Sequence, residues 1–532
     1  MKVFRYVLAA FLVQMVSSLA LAANLLVPGS YATIQGAVDA AANTGDEVHV
    51  TVAATYDEYV IVSGSKDLKI VGDVAGVIVA SIGLNDSAQL TLDNITVTNK
   101  TARNNGDGVN QRSTGLLTLT NSAVSGCNLR GLVHESGGNI IMTNSSLTGN
   151  SFDGYDRTGS SGGGLTASGG CVIANNNRAG LMFEGGDTMT ANISDTEIRG
   201  NNIGIYVAGS TNLSIAINSS LLLNNKQDQM LLAKQVQLTM DNVTLQHTSS
   251  PSFAGGIRFD SGAGTATSSS VVASNCQFLC PYNKNCFWVF HPVSINAVNC
   301  VFSGFSCAFE VNEQVAVDLT SCTVANTFNV PVSINGYDGD PVRTFTANRC
   351  RLTGGSAPFN LLNAVATEAR LTNCVFEGGD VQVWSQGDQS MFDARNCTFA
   401  GDVITTAAMF IRRDNTLSLL ANCIIDNTYN GVSGDTGVTL NNHNNMVRAL
   451  NQNFVGITPG GSTILDTNPQ FVQASSGPGT GNFHLKPISP AIGAGDNTLG
   501  VTVDYDNIPR GATNDMGAYK GPVSDVRDWV IY

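Results

Sequence analysis

Asn299-Cys300-Val-Phe302 is one of seven related phrases that decide the fold of this chain. In each phrase a cysteine is followed two residues later by an apolar residue, and asparagine precedes five of the seven cysteines. The intervals between the cysteines are 24, 22, 28, 24, 23 and 26 residues. A period of this length with a small side chain at a fixed position is typical of a solenoid, whose repeats bury their apolar faces against one another. The seven cysteines are Cys276, Cys300, Cys322, Cys350, Cys374, Cys397 and Cys423.

The same position continues toward the N terminus with other small or apolar residues, in phrases such as Asn144-Ser-Ser-Leu147. We assign to this position Val243, Ser219, Thr196, Cys171, Ser145, Ser122 and Ile95. The sequence therefore predicts a solenoid of about fourteen or more coils.

Two kinds of repeat have a period of this length. Leucine-rich repeats need a Leu-x-x-Leu-x-Leu frame and a helical return segment. This chain instead has short alternations of apolar and polar residues, such as Leu213-Ser-Ile-Ala-Ile217 and Gln237-Leu-Thr-Met240. Alternation with a period of two indicates β-strands, and the segments between them have no helical pattern. The pattern favours an all-β fold, a parallel β-helix.

Composition excludes some classes of partner. Only 13% of the residues are charged, and the formal net charge is −14. Nucleic-acid binding needs clusters of Lys and Arg, which this chain lacks, so we expect no nucleic-acid partner. An acidic surface also disfavours polyuronates, unless calcium bridges the two negative charges.

The first 23 residues have the pattern of a secretory signal peptide. Lys2 and Arg5 precede an apolar run over Val7–Val16, and Ala20-Leu-Ala22 provides a cleavage site of small residues. No later stretch is apolar enough to span a membrane. We expect a secreted, periplasmic or cell-surface protein.

The chain is predicted to have four parts. An amphipathic helix over residues 30–43, with Ser30 as its N-cap, covers the open end of the solenoid core. The parts are a signal peptide (1–23), an N-terminal cap with this helix (24–46), a parallel β-helix (47–430) and a terminal irregular coil with a C-terminal cap (431–532).

Both ends of the chain resemble right-handed parallel β-helix proteins of the pectin-lyase-like superfamily, in particular secreted bacterial members. The phrases that carry the resemblance are Tyr31-Ala-Thr-Ile-Gln-Gly-Ala-Val38, Gly45-Asp-Glu-Val48, Lys69-Ile-Val-Gly72, Asn468-Pro-Gln-Phe-Val472, Ser489-Pro-Ala-Ile-Gly-Ala-Gly-Asp496 and Asp515-Met-Gly-Ala-Tyr519. The resemblance implies a right-handed, single-stranded parallel β-helix and export. It also implies that any catalysis takes place on the outer face of one parallel sheet. The Asp-Asp pair and the Gly-His-Gly of the polygalacturonase relatives are missing from this sequence.

Acids and arginines are densest in coils 3 to 6. Aligning Arg130-Gly-Leu-Val-His-Glu135 with Arg178-Ala-Gly-Leu-Met-Phe-Glu184 places Glu135 and Glu184 in one outward position, two coils apart. The intervening coil carries Asp156 and Arg157 in a glycine-rich loop. Acids at such a place can ligate calcium, and an arginine can bind a uronate or accept a proton from it. The candidate catalytic residues are Glu135, Asp156, Arg157 and Glu184, and the alternative is a set of solvated surface charges.

A second set of residues is predicted to bind carbohydrate. Arg130 and Arg178 lie beside the candidate acids, and Trp288 lies in an aromatic run that is able to stack on sugar rings. Burial of this run against the next coil is the alternative. His134 falls in an inward position and is predicted to belong to the core.

The twelve cysteines are predicted to be mostly free, because in-register parallel strands aim their Cβ atoms the same way. Cys280 and Cys286 flank an insert outside the repeated position, and they are the candidate disulfide.

Two classes of function stay open. One is an extracellular polysaccharide lyase or hydrolase acting on the outer face of coils 3 to 6. The other is a non-catalytic, adhesin-like rod that binds glycans or a protein partner. Calcium is the one cofactor that the acids suggest, and the sequence specifies neither its ligands nor the oligomeric state.

Overall fold

The computed structural model describes most of the chain after the predicted signal peptide. The described residues are 22–42, 44–101, 103–159, 162–185, 188–209, 212–260, 268–327, 329–335, 343–354, 359–361, 367–385, 391–402, 405–411, 418–499 and 501–522. The chain divides into two compact units, Met1–Val172 and Ile173–Tyr532. Residues 1–21 of the predicted signal peptide lie outside the described residues, so that interpretation stays a prediction.

The fold is an all-β parallel solenoid of about 16 turns, as the sequence predicted. Each regular coil contributes three strands, and each strand pairs in parallel with its counterparts in the neighbouring coils. We number the sheets in the order in which one coil visits them. Ile203–Val207 belongs to sheet 1, Leu213–Asn218 to sheet 2 and Leu221–Leu223 to sheet 3.

The first unit shows this order in its later coils. Its sheet 2 strands are Asn24–Val27, Thr44–Val50, Asp67–Gly72, Gln89–Asp93, Leu117–Thr120, Ile140–Thr143 and Gly164–Ser168. Its sheet 3 strands are Thr96–Val97, Ala123–Ser125 and Ser146–Thr148, and its sheet 1 strands are Val109–Gln111, Leu132–His134 and Tyr155–Arg157. Two longer strands, Thr55–Val62 and Ile78–Leu84, precede these coils. Arg103–Gly106 is a 3₁₀ turn.

The second unit repeats the order more regularly. Its sheet 1 strands are Ala179–Phe183, Ile203–Val207, Asp228–Leu232, Ile257–Phe259, Asn285–Val289, Cys307–Val311, Val332–Ile334, Phe359–Leu361, Val381–Ser385 and Ala407–Ile411. Its sheet 2 strands are Met189–Ser194, Leu213–Asn218, Val236–Asp241, Ser269–Ser274, Val293–Val298, Val315–Thr320, Arg343–Asn348, Thr367–Thr372, Met391–Arg395 and Leu419–Ala421. Its sheet 3 strands are Val172–Ala174 (of which Val172 is the last residue of the first unit), Glu197–Arg199, Leu221–Leu223, Thr244–Gln246, Gln277–Leu279, Val301–Ser303, Thr323–Thr327, Arg351–Gly354, Val375–Glu377, Thr398–Ala400 and Thr463–Leu465.

Two long strands, Ile424–His443 and Asn445–Pro459, run through the last coils. They pair in parallel with each other, and the second also pairs with Thr463–Leu465. The parallel ladder therefore continues beyond the predicted boundary at residue 430.

Alternation of buried and exposed side chains builds the core. In Val236–Asp241 every second residue is buried, so one row of side chains enters the coil and the other faces solvent. Counterparts in successive coils then stack, as Phe278 and Phe302 do with ring centroids 4.8 Å apart. Each coil buries its apolar row against the next, and the stack of coils supplies the core that one coil lacks.

The repeated cysteines occupy one buried position at the start of each sheet 3 strand. All seven are at most 1% exposed. Serine and threonine fill the same position in earlier coils, and there the sequence assignment needs one correction. Ser220 fills the position and Ser219 precedes it, because Ser219 has a φ of +45° and forms the turn into the strand.

The predicted N-terminal helix is shorter than expected. It spans Ile34–Ala40, and its N-cap is Thr33 instead of Ser30, since the Thr33 hydroxyl accepts a hydrogen bond from the amide of Gly36 at 3.0 Å. Ile34, Ala37 and Val38 are buried, as the amphipathic pattern predicted. Its role as a cap stays a prediction. Among the described residues, no helix is long and apolar enough to cross a membrane.

The C-terminal segment packs beside the last coils. It contains an antiparallel pair, Phe471–Gln473 and Asn482–Leu485, and a 3₁₀ turn at Asn497–Leu499. Its apolar side chains form one cluster with sheet 3 residues such as Val375. The buried Arg510 donates to Asn373 at 2.9 Å and to four backbone carbonyls, so it fastens this segment to the solenoid.

Candidate functional site

Three charged residues of the first unit form a compact cluster. Arg130 makes a bidentate contact with Asp107, at 3.0 and 2.8 Å, and donates a third hydrogen bond to Asp156 at 3.1 Å. Both aspartates are 1% exposed, whereas the arginine side chain is 24% exposed. The sequence brought Arg130 and Asp156 into one region, and the structure places them in contact. Because the guanidinium is held by two carboxylates, the cluster has the character of a structural ion network.

Arg157 belongs to the core. Tyr155–Arg157 is a strand, so Arg157 points to the side opposite to its neighbour Asp156. It is 3% exposed, and it donates hydrogen bonds to the carbonyls of Ser136 and Gly162. This placement argues against its predicted catalytic role, since the chain itself binds the guanidinium.

His134 lies beside Arg157 in register and is fully buried. Its Nε2 contacts the carbonyl of Gly138 at 2.7 Å, which makes Nε2 the donor, and its Nδ1 accepts from the hydroxyl of Tyr155 at 2.8 Å. Burial, together with the charge of Arg157, lowers the pKa of His134 to about 3. His134 is therefore a neutral core residue, as the sequence predicted.

The two candidate glutamates each contact an arginine of their own unit. In the first unit Glu135 pairs with Arg112 at 3.0 Å, and in the second unit Glu184 pairs with Arg178 at 2.8 Å. All four side chains are between 32% and 39% exposed. The predicted alignment of the two glutamates joins different units and stays a prediction. Asp187, a further acid near these residues in the sequence, lies outside the described residues.

A second candidate site lies on the outer face of sheet 1 in the second unit. One outward position recurs in register through successive strands, and we call this row the outer column. It consists of Met182, Tyr206, Leu231, Arg258, Trp288, Glu310, Ser333, Trp384, Phe410 and Ser433, of which Met182, Leu231 and Ser433 are buried. Four aromatic residues of the row are half-buried, so their rings are partly accessible to solvent.

The middle of the outer column combines aromatic and charged side chains. Trp288 lies between Arg258 and Glu310 in register, and its ring packs against Phe290 with centroids 5.0 Å apart. Further along, Trp384 and Phe410 form an edge-to-face pair with centroids 6.1 Å apart. The predicted carbohydrate-binding residue Trp288 is half-buried on the outer face of sheet 1, whereas Phe287 of the same aromatic run is fully buried.

Arg258 is held by acids that the sequence analysis missed. It donates two hydrogen bonds to Asp228, at 3.3 and 3.0 Å, and one to Asp260 at 3.4 Å. Its guanidinium also lies 5.1 Å from the ring centroid of Phe253, which is 46% exposed. Burial raises the pKa of Asp228 from 3.8 to about 6, although the charge of Arg258 opposes this rise.

A depression of about 610 Å³ beside sheet 3 contains Cys280. His247, which also lines it, has an Nε2 without a hydrogen-bond partner, and burial lowers its pKa to about 4. Both Cys280 and Cys286 are buried free thiols, so the structure does not contain the predicted disulfide. Among the described residues, no group of three or more His, Cys, Asp and Glu side chains is arranged to hold a metal ion.

Comparison with known proteins adds little to this geometry. No protein-family model and no curated protein matches the chain. The A-module of mannuronan C-5 epimerase AlgE6 from Azotobacter vinelandii is a similar solved structure, with 13% sequence identity over 80% of this chain and 94% of that module. The TM-score is 0.19, which is too low to carry an argument about activity.

Proposed function

We propose that this chain is an extracytoplasmic polysaccharide-binding protein whose binding surface is the outer column of sheet 1. The observation that carries the proposal is the row of half-buried aromatic and charged side chains from Arg258 to Phe410, held in register on a rigid sheet.

The chemistry of the row suits a sugar chain. The C–H face of a pyranose ring is apolar and gains free energy when an aromatic ring covers it. The hydroxyl groups at its edge need donors and acceptors, and Arg258, Asp260 and Glu310 offer both beside Trp288. Neighbouring rungs lie about 4.8 Å apart, which is close to the length of one pyranose residue.

The environments of the charged residues fit a binding protein better than they fit a lyase or a hydrolase. Within the first unit Asp156 lies under Arg130, Arg157 points into the core and Glu135 pairs with Arg112. These three candidate catalytic residues occupy different environments: Asp156 and Arg157 are buried and bound by other groups of the chain, and Glu135 is half-exposed in an ion pair.

Export and family membership are part of the proposal. The pattern of residues 1–23 supports a cleaved signal peptide, which places the binding surface outside the cytoplasm. The phrases near both ends of the chain support membership of the pectin-lyase-like superfamily.

Affinity gel electrophoresis against a panel of soluble polysaccharides, with and without calcium, tests the proposal. We expect at least one polymer to slow the protein, and the Trp288→Ala/Trp384→Ala variant to bind that polymer about tenfold more weakly. Tyr56→Ala, at a half-buried tyrosine of the first unit, is the matched control and should bind normally. Circular dichroism checks that each variant is folded. An unaffected double variant, or no retardation by any polymer, overturns the proposal.

A further inference from the structure

We infer that the outer column selects neutral polysaccharides and rejects polyuronates. This inference rests on the proposed function and names the class of polymer. It starts from the charges that surround Trp288 on the surface of sheet 1.

Arg258 is the one cationic side chain among the described residues of the outer column. A uronate would need this guanidinium for a bidentate contact. Asp228 already binds it through two hydrogen bonds and is fully buried beneath it, so no sugar carboxylate displaces that partner without leaving a buried charge alone. Asp260 contacts the same guanidinium from a more exposed position.

Acids crowd the surroundings of Trp288. Asp228 and Asp260 both bind the guanidinium of Arg258, and Glu310 is a third acid in the strand next to Trp288. The side chain of Asn285 donates to Glu310 and fixes its carboxylate beside the ring of Trp288 without neutralising it. A polymer with a carboxylate on each residue is repelled from such a surface.

A neutral sugar is not repelled by these acids and is able to donate hydrogen bonds to them. Its hydroxyl groups donate to the half-buried carboxylate of Glu310 and to Asp260, which is 42% exposed, while the ring stacks on Trp288. Hydrogen bonds to ionised acceptors are the stronger kind, so the acids that repel a uronate hold a neutral hexose.

Glu310→Lys tests the inference because it changes the charge at the column without touching the core. The wild type should be slowed by neutral galactomannan or β-glucan, and it should migrate freely through pectate and alginate gels, with or without calcium. Glu310→Lys should bind the neutral polymer more weakly and gain retardation by pectate that disappears with added salt. Asp318→Lys makes the same change of net charge on the exposed face of sheet 2 in the same coil, and it should gain no pectate binding.

These outcomes distinguish failure of the inference about neutral polymers from failure of the proposed polysaccharide binding. Binding of the wild type to a polyuronate but to no neutral polymer overturns the inference and leaves the proposed function standing. Equal gains for Glu310→Lys and Asp318→Lys also overturn the inference, because net charge alone then explains retention. Absence of binding to every polymer overturns both.

Discussion

The backbone amide of Cys374 donates a hydrogen bond to the sulfur of Cys397, 3.4 Å away in the next coil. Cys397 makes the same contact with Cys423. Each thiol also donates to the carbonyl two residues earlier, as Cys374 does to Thr372 at 3.4 Å. The cysteines thus stand in single file and join consecutive coils, which explains why the sequence repeats them at one position.

Replacement of Cys374 by serine should be tolerated better than replacement by leucine. Ser145 fills the same position in the first unit, and its hydroxyl donates to the carbonyl of Thr143 at 2.8 Å. Cys374→Ser keeps this hydrogen bond and should cost about 1 kcal/mol or less, whereas Cys374→Leu overfills the stack and should cost about 1–3 kcal/mol. Chemical denaturation measures the free energy of unfolding, and a larger loss for serine than for leucine would contradict the account.

The cysteine thiols should not react with thiol-specific reagents in the native protein. All twelve cysteines are buried and free, and burial raises the pKa of Cys374 well above its ordinary value, so the reactive thiolate is scarce. A thiol-specific reagent should label essentially none of them before unfolding and all twelve afterwards. Labelling two fewer in the unfolded, unreduced protein would show that one disulfide forms, and peptide mapping would then test whether it joins Cys280 and Cys286.

Asn299 should be replaceable by glycine but not by alanine. It precedes Cys300 with a φ of +53°, and its exposed side chain makes one weak contact, at 3.4 Å, with Asn275. Alanine at this φ should cost about 1–2 kcal/mol, because its Cβ crowds the backbone, and glycine pays no such cost. The exposed strand residue Asn296 is the control, and Asn296→Ala should change the free energy of unfolding by about 0.5 kcal/mol or less. Similar losses for Asn299→Ala and Asn299→Gly would refute the explanation.

Arg130 should matter for stability far more than Arg112. Arg130→Met leaves two buried carboxylates without their cation and should cost about 3 kcal/mol. Arg112→Met removes only a half-exposed pair with Glu135 and should cost less than about 1 kcal/mol. Denaturation of both variants checks this, and the folded Arg130→Met protein should bind polysaccharide as the wild type does. A selective loss of binding at full stability would restore Arg130 as a carbohydrate-binding residue.

Asp228 should make stability depend on pH in mildly acidic solution. Its pKa is raised from 3.8 to about 6 in the folded protein, so the folded state binds more protons than the unfolded state between these values. The contribution of Asp228 is therefore complete below pH 3.8 and is lost as the pH rises through about 6. Across this window the wild type should lose about 3 kcal/mol relative to Asp228→Asn, which does not titrate. A constant difference between the two proteins, measured by denaturation over the pH series, would contradict the prediction.

The sequence was sufficient to predict the solenoid, because a buried small residue must recur once per coil and an asparagine is tolerated in the turn before it. Asn275 and Asn299 show this, with φ values of +55° and +53°. A second stack, which consists of buried asparagines, was not predicted from the sequence. Asn176, Asn201 and Asn225 are fully buried, and the side-chain oxygens of Asn201 and Asn225 accept from the amides of the preceding coil at 3.0 and 3.1 Å. In the sequence they look like ordinary turn residues, although the pairs Asn175-Asn176, Asn201-Asn202 and Asn224-Asn225 mark the recurrence.

The candidate site was harder to predict, for two physical reasons. Arg157 lies in a glycine-rich stretch whose short strand, Tyr155–Arg157, gives no clear alternation, so its inward direction was not evident. Asp228 and Arg258 are 30 residues apart, because Arg258 is in register with Leu231 and Asp228 lies three residues before Leu231. The mean period does not predict which residues lie side by side across an irregular coil. Trp288, by contrast, was found from its residue type alone.

Oxidative footprinting of the folded protein with a bound oligosaccharide would show whether sugar covers sheet 1, since hydroxyl radicals report which side chains a ligand covers. We expect protection of Trp288, Phe290, Trp384 and Phe410 on the surface of sheet 1, with unchanged oxidation of Tyr56. Protection confined to the neighbourhood of Arg130 and Glu135, with the two tryptophans still fully oxidised, would contradict this expectation.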